Sequence, residues 1–272
     1  MVELHCGAAT DIGHVRETNQ DAFLASAPVF VVADGMGGHQ GGEVASGIVI
    51  EEFTRIAVDG YDTTRAPEVV NEVLGECQRR IRAYADAHRA TGDPDWYSGT
   101  TVVAALLCED HEGAKWLLVN LGDSRIYRFH ESALEQVSVD HSVVQELLDA
   151  GEIEAESVAT HPDRHVITRA LGGPVLGEPD FFVLPLGSAT RVVLCSDGIS
   201  GMIDDAEIRR ILAEVGDPRD AADRMVAAAL AAGGQDNATA VVVDVVGLTK
   251  PEEPRETRAA PGSLEEKLGA LP

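Results

Sequence analysis

Positive charge is scarce in this chain of 272 residues: 21 lysines and arginines face 46 aspartates and glutamates, a formal net charge of -25. The only lysines are Lys115, Lys250 and Lys267. So negative a chain repels phosphate backbones and anionic membrane surfaces, so neither nucleic acid nor membrane is expected as a partner. Cysteine is sparse as well. Cys6, Cys77, Cys108 and Cys195 are scattered without C-x-x-C spacing, which implies no disulfide framework, and none has arginine at the C-x5-R offset that a thiolate phosphatase requires. No H-E-x-x-H or Cys-paired histidine spacing points to zinc, and no G-x-x-x-x-G-K-[ST] loop points to nucleotide hydrolysis. No apolar run is long enough to span a bilayer, and the first residues lack the basic and apolar regions of a signal peptide. The expectation is a cytoplasmic protein.

Short apolar runs, by contrast, are plentiful, and acids stand where they stop. VFVVA is followed by Asp34, WLLVNLG by Asp123 and VVLCS by Asp197, while Asp236 directly precedes NATAVVVDVV. A carboxylate at a strand end is delivered to the rim of a sheet, and several such strands can aim their oxygens at one point. Oxygen-only donors favour hard cations, Mg2+ or Mn2+, so the pattern points to metal-assisted hydrolysis. Gly35 follows Asp34, and a residue without a side chain leaves its carbonyl free to turn toward a cation that Asp34 also holds. Arg16 lies five residues before Asp21. With so few cations near these motifs, it is the natural fork for two phosphate oxygens.

The hydrophobic pattern predicts strands over residues 29–33, 101–107, 116–121, 125–129, 190–195 and 238–246, with the third and fourth forming a hairpin across Gly122-Asp123-Ser124. Helices are predicted over 43–56, from Pro67 onward, and over 142–150, 205–215 and 218–232. In the second of these, Val70, Val73, Leu74, Cys77, Ile81 and Tyr84 recur at three- and four-residue spacing and form one apolar stripe. Asp140 is expected to cap the helix after it and Gly151 to stop it. Residues 1–249 read as one catalytic domain carrying a surface excursion, or flap, over about 140–185. Residues 250–272, rich in Pro, Glu and Ala, read as a flexible tail.

The ordered set Thr10-Asp11-Ile12-Gly13, Arg16, Asn19-Gln20-Asp21, V-A-D-G-M-G-G from Val32, S-G-T-T from Ser98, G-D-S-R from Gly122, C-S-D-G from Cys195 and Q-D-N from Gln235 resembles the bacterial metal-dependent protein phosphatases of the 2C type, the PPM family. The resemblance spans about residues 3 to 246. It implies an α+β fold, a four-layer αββα sandwich of two antiparallel sheets flanked by helices. It implies hydrolysis of phosphoserine and phosphothreonine by a water activated between two Mn2+ or Mg2+ ions, without a covalent intermediate. By the same resemblance, Asp34 bridges the core pair, Gly35 offers its carbonyl, Asp197 and Asp236 complete the coordination of the first ion and Asp21 serves the second ion, mostly through water. Asp123 and Asp197 would hold a possible third ion, and Arg16 would bind the phosphoryl group. The catalytic set is then Asp34, Asp197, Asp236 and Arg16. The implied partners are phosphorylated proteins, substrates of serine/threonine kinases, and the expected state is a monomer.

Met36 stands where some relatives place a histidine that protonates the leaving group, so the general acid is unassigned; His39 lies nearby. Two rival functions are a pseudophosphatase that only binds phosphoproteins and a phosphatase of anti-sigma-factor antagonists. Loss of Asp34, Asp197 or Asp236 would favour the first; all are present. The second type usually carries sensory or coiled-coil modules, and no such extension is read in this sequence.

Overall fold

The computed structural model describes residues 2–37, 40–91, 93–158 and 160–247. Gly38, His39 and the expected tail over 250–272 lie outside the described residues. In chain order the elements begin with β1 (Glu3–Asp11), β2 (Asp21–Ser26), β3 (Val29–Gly37), α1 (Gly41–Asp59), α2 (Ala66–Ala90), β4 (Ser98–Thr100), β5 (Val102–Asp110), β6 (Gly113–Leu121), β7 (Arg125–His130) and β8 (Ala133–Gln136). They continue with α3 (Val143–Asp149), α4 (Ala155–Val158), β9 (Asp180–Pro185), β10 (Arg191–Cys195), α5 (Asp197–Ser200), α6 (Asp205–Glu214), α7 (Pro218–Ala231) and β11 (Ala238–Val246).

Two antiparallel sheets result, one ordered β1-β11-β10-β7-β8 and the other β2-β3-β5-β6-β9, with β4 attached to β3. Why the strands read as unbroken apolar runs rather than alternating ones follows from burial on both faces. On β3, Val29, Val31 and Ala33 join the layer beneath α1 and α2, with Phe53, Leu74 and Ile81. Phe30 and Val32, on the opposite face, pack between the sheets with Trp116, Leu118, Ile126, Leu194 and Val241. Beyond the other sheet, Val193, Cys195 and Val242 meet Ile208, Ile211 and Met225 of α6 and α7. Helix, sheet, sheet, helix is therefore the layering, and each buried large aliphatic or aromatic side chain contributes roughly 1.5–3 kcal/mol.

The local signals act as the sequence suggests. Pro67 sits in the first turn of α2, and Val70, Val73, Leu74, Cys77 and Ile81 form its buried stripe. Asp204 and Asp217 cap α6 and α7 by accepting backbone N–H bonds, and Pro218 opens α7. Two expectations are corrected. β6 and β7 are no hairpin: they lie in different sheets, and Gly122 (φ 129°) carries the chain from one to the other. The hairpin partner of β6 is β5, closed at Asp110–Gly113. Ser142, not Asp140, caps α3, because Asp140 is engaged by Arg125 instead. The excursion over 140–185 carries short pieces of structure, α3, α4 and β9, the last paired with β6 from Asp180 to Pro185. No helix among the described residues is long and apolar enough to cross a membrane.

Candidate functional site

Asp34 does not end its strand. β3 pairs with β5 through Val32 and then with β4 from Gly35 to Gly37, so Asp34 occupies the point where the strand changes neighbours. Its backbone is held there from both sides: Asp34 N donates to Thr101 Oγ1 at 3.1 Å, while its carbonyl accepts from Thr101 N at 2.9 Å and from Thr100 Oγ1 at 2.9 Å. The β2–β3 register sets Asp21 directly opposite Asp34, and directly opposed residues share a face. Twelve residues separate them in sequence, the rest of β2, the Ala27-Pro28 turn and the first part of β3, and conceal this neighbourhood. A Cβ on Gly35 would collide with the carbonyl of Gly42, so only glycine lets α1 approach so closely.

The other acids arrive from separate directions. Asp123 occupies the β6–β7 crossover, next to Ser124, whose hydroxyl bonds Thr101 Oγ1 at 2.8 Å. Asp197 opens the short α5 directly beyond β10, and Asp236 sits just before β11. Gly198 permits this last approach, since a Cβ there would strike the carbonyl of Asn237. Asn237 ties the preceding loop down: its Nδ2 donates to the carbonyls of Ile12 and Thr18 at 3.0 Å each, and its Oδ1 accepts from Gln20 N at 2.8 Å. That loop carries Arg16, whose Nη2 donates to Asp236 Oδ2 at 2.7 Å. Arg16, Asp34, Gly35, Asp123, Asp197 and Asp236 all line one cleft of about 1360 Å³, while Asp21, opposite Asp34 on β2, is outside that lining and keeps its Oδ1 buried. The structure thus brings every sequence-predicted site residue to one region.

So many buried like charges perturb one another. Burial pushes the Asp21 carboxyl up to about 7, against hydrogen bonds from Thr239 and Ser196 that favour the anion. Asp123 is pushed up to about 8, chiefly by burial and then by Asp197. Asp34 stands well above the usual carboxylate range through burial and the charges of Asp21 and Asp197; Asp197 is raised too, by burial and Asp236, although it hydrogen bonds Asp34. Among the described residues no trio of His, Cys, Asp or Glu already forms a ligand set. Even so, Oδ1 of Asp21, of Asp123 and of Asp197 is buried without a hydrogen-bond partner. Buried carboxylate oxygens lacking donors, crowded with others of the same sign, fit divalent cations: the cation replaces the protons and supplies the missing partner.

Arg125, two residues after Asp123 in the G-D-S-R string, does not hold it: its fork goes to Asp140, with Nε at 3.0 Å from both oxygens and Nη2 at 2.7 Å from Oδ2. His141 does the locking instead. Its Nδ1 accepts from Gly122 N at 3.1 Å, its backbone N donates to the carbonyl of Gly122 at 2.9 Å and its Nε2 lies 3.1 Å from Asp180 Oδ2. Sequence reasoning left His141 and Asn237 without roles, although each stands beside a motif acid, Asp140 and Asp236. His165 and Arg164 of the excursion also line the cleft.

The protein phosphatase 2C family model matches residues 13–232. The serine/threonine phosphatase stp of Listeria innocua is 33% identical over 253 residues, covering 89% of this chain and 96% of its own length. Among solved structures, the Mycobacterium tuberculosis serine/threonine phosphatase PstP/Ppp superposes with a TM-score of 0.75 at 35% identity, covering 91% of this chain and 100% of that one. The catalytic domain of serine threonine protein phosphatase PstP in complex with two manganese ions superposes with a TM-score of 0.73 at 34% identity over 91% of this chain and 100% of that one. Layered as an αββα sandwich and matched along most of its length, the chain belongs to the protein phosphatase 2C family.

Proposed function

We propose that the protein is a metal-dependent serine/threonine protein phosphatase that hydrolyses phosphoserine and phosphothreonine on other proteins. The observation that carries the reading is the convergence of Asp34, Asp123, Asp197 and Asp236 on one cleft, with orphaned buried oxygens and Arg16 at its mouth. Asp34, the Gly35 carbonyl, Asp197 and Asp236 would hold the core ions, with Asp21 behind them and Asp123 available to a further one. When bound, Mn2+ or Mg2+ supplies Lewis acidity toward phosphoryl oxygens and lowers the pKa of coordinated water.

The chain's own residues do the rest. Arg16 is 55% exposed and reaches the cleft from the loop that Asn237 anchors, so it can offer a charge-assisted fork to phosphoryl oxygens while Asp236 orients it. Arg164, His165 and Ile167 also line the cleft, where the rest of a phosphoprotein segment would lie. Residues 1–249 act as one catalytic domain, working as a monomer because the cleft is complete within one chain. A cytoplasmic site of action suits four cysteines that are all free thiols. A pure binding role is disfavoured because every carboxylate of the core set is present.

Purified protein should hydrolyse p-nitrophenyl phosphate and phosphothreonine peptides with Mn2+ and lose activity in EDTA, and Asp34→Asn should abolish turnover with the fold intact by circular dichroism. Full activity in chelator would sink the assignment.

A further inference from the structure

Asp21 has its two oxygens in unlike surroundings. Oδ1 is buried with no partner, while Oδ2 accepts from Ser196 Oγ at 2.7 Å. Ser196, fully buried, also accepts the backbone N–H of Thr239 at 3.0 Å, so its single hydroxyl hydrogen is committed to Asp21. The Thr239 hydroxyl is itself hydrogen bonded to the Asp21 carboxylate, and its oxygen lies 2.7 Å from Thr10 Oγ1. Thr10 Oγ1 in turn accepts from Asn19 Nδ2 at 2.9 Å. The amide of Asn19 cannot be reversed, because its Oδ1 accepts the backbone N–H of Asp21 at 3.1 Å.

These contacts fix a direction. A hydroxyl has one hydrogen: Thr239 gives its own to the Asp21 carboxylate, so the hydrogen between Thr10 and Thr239 comes from Thr10, whose oxygen accepts from Asn19. Two donor lines, one from Asn19 through Thr10 and Thr239 and one from Ser196, therefore end on the same carboxylate. They connect β1, β11 and the β10–α5 junction of one sheet with β2 of the other. A network that served packing alone would finish on a satisfied group, but this one finishes beside an oxygen with none.

We propose that Asn19, Thr10, Thr239 and Ser196 are positioning residues that hold Asp21 through a one-way chain of donors, so that its free oxygen faces a divalent cation. The inference rests on the metal-dependent reading given above, and it gives a task to Thr10, which touches neither the cleft lining nor a candidate ligand, and to Asn19, which links Thr10 to the Asp21 backbone. Support from behind of this kind typically alters metal affinity by about 10–100-fold when removed.

Calorimetric titration of the full chain with Mn2+ decides the matter. Thr239→Val, which keeps the shape and removes the hydroxyl, should weaken one class of Mn2+ sites by about 10–100-fold and leave the other in place. Thr239→Ser should restore it. Thr10→Val should weaken the same class by a smaller factor, and turnover of p-nitrophenyl phosphate by each variant should recover at high Mn2+ with KM for the ester unchanged. A folded Thr239→Val protein with wild-type Mn2+ affinity overturns the proposal; if that variant does not fold, unaltered Mn2+ affinity in Ser196→Ala overturns it equally. Wild-type protein that binds no Mn2+ would instead remove the metal-dependent reading on which the chain of donors depends.

Discussion

Arg16 is the residue on which substrate binding and ligand geometry meet. Because it is more than half exposed and already hydrogen bonded to Asp236, its removal takes away a phosphate contact made in ground and transition states alike. Arg16→Ala should therefore raise KM for p-nitrophenyl phosphate by about tenfold or more with a smaller loss in kcat, measured by steady-state kinetics at saturating Mn2+. A loss confined to kcat would contradict that role. The buried acids supply a pH prediction of definite sign. Asp21 and Asp123 keep their protons in the folded, metal-free chain up to about 7 and about 8, whereas unfolded aspartate releases its proton near 3.8. Their protonation thus stabilises the metal-free fold fully below pH about 4, and this contribution is lost as pH rises through about 7–8. In EDTA the Tm of wild type should fall between pH 5 and 8.5 more steeply than that of Asp123→Asn, while Mn2+ affinity rises over the same interval because the cation displaces those protons. Parallel melting curves for the two proteins would refute the assignment.

At the scale of elements, buried polar anchors decide where strands and helices stop. Arg191, 7% exposed at the start of β10, forks Asp244 on β11 through Nε at 2.6 Å and Nη2 at 2.7 Å, and also donates to the carbonyls of Leu212 in the last turn of α6 and of Val215 and Gly216 just beyond it. One side chain thus satisfies the C-terminal carbonyls of a helix and locks the register of two strands. Arg191→Met should cost about 3–5 kcal/mol in urea denaturation, since it leaves Asp244 and several carbonyls without a donor. Closer to the chemistry, Gly198→Ala should push α5 away from Asn237 and move Asp197 off Asp236; weakened Mn2+ binding with intact far-UV circular dichroism is the expected result. Element type was readable here because helical stripes and valine-rich runs are local signals. Partnership was not: β6 and β7 look like a hairpin around Gly122-Asp123-Ser124, yet burial on both faces sends them to different sheets.

Across the whole molecule, the candidate ligands divide between the two sheets. Asp21 and Asp34 lie on β2 and β3 and Asp123 follows β6, whereas Asp197 follows β10 and Asp236 precedes β11. Cations held by both groups would staple the sandwich at one end, adding to the apolar layer of Phe30, Trp116, Leu118 and Val241 between the sheets. Calorimetry should accordingly give a single transition whose Tm rises with Mn2+, by the equivalent of about 2.7 kcal/mol at a hundredfold excess over Kd. Two separate transitions, only one of them metal-sensitive, would mean that the sheets are not coupled in this way. The sequence by itself determined the acids, the glycines beside them and the apolar runs that carry them, because residue type and spacing are one-dimensional properties that burial and strand geometry act on directly. Only the tertiary structure decided that Asp21 faces Asp34 across a strand pair, that His141 rather than Arg125 secures the Asp123 turn, and that Thr10 reaches Asp21 through Thr239. Those relations depend on strand register and on which sheet each strand joins, and they bridge sequence separations as long as 229 residues, over which no local pattern carries information.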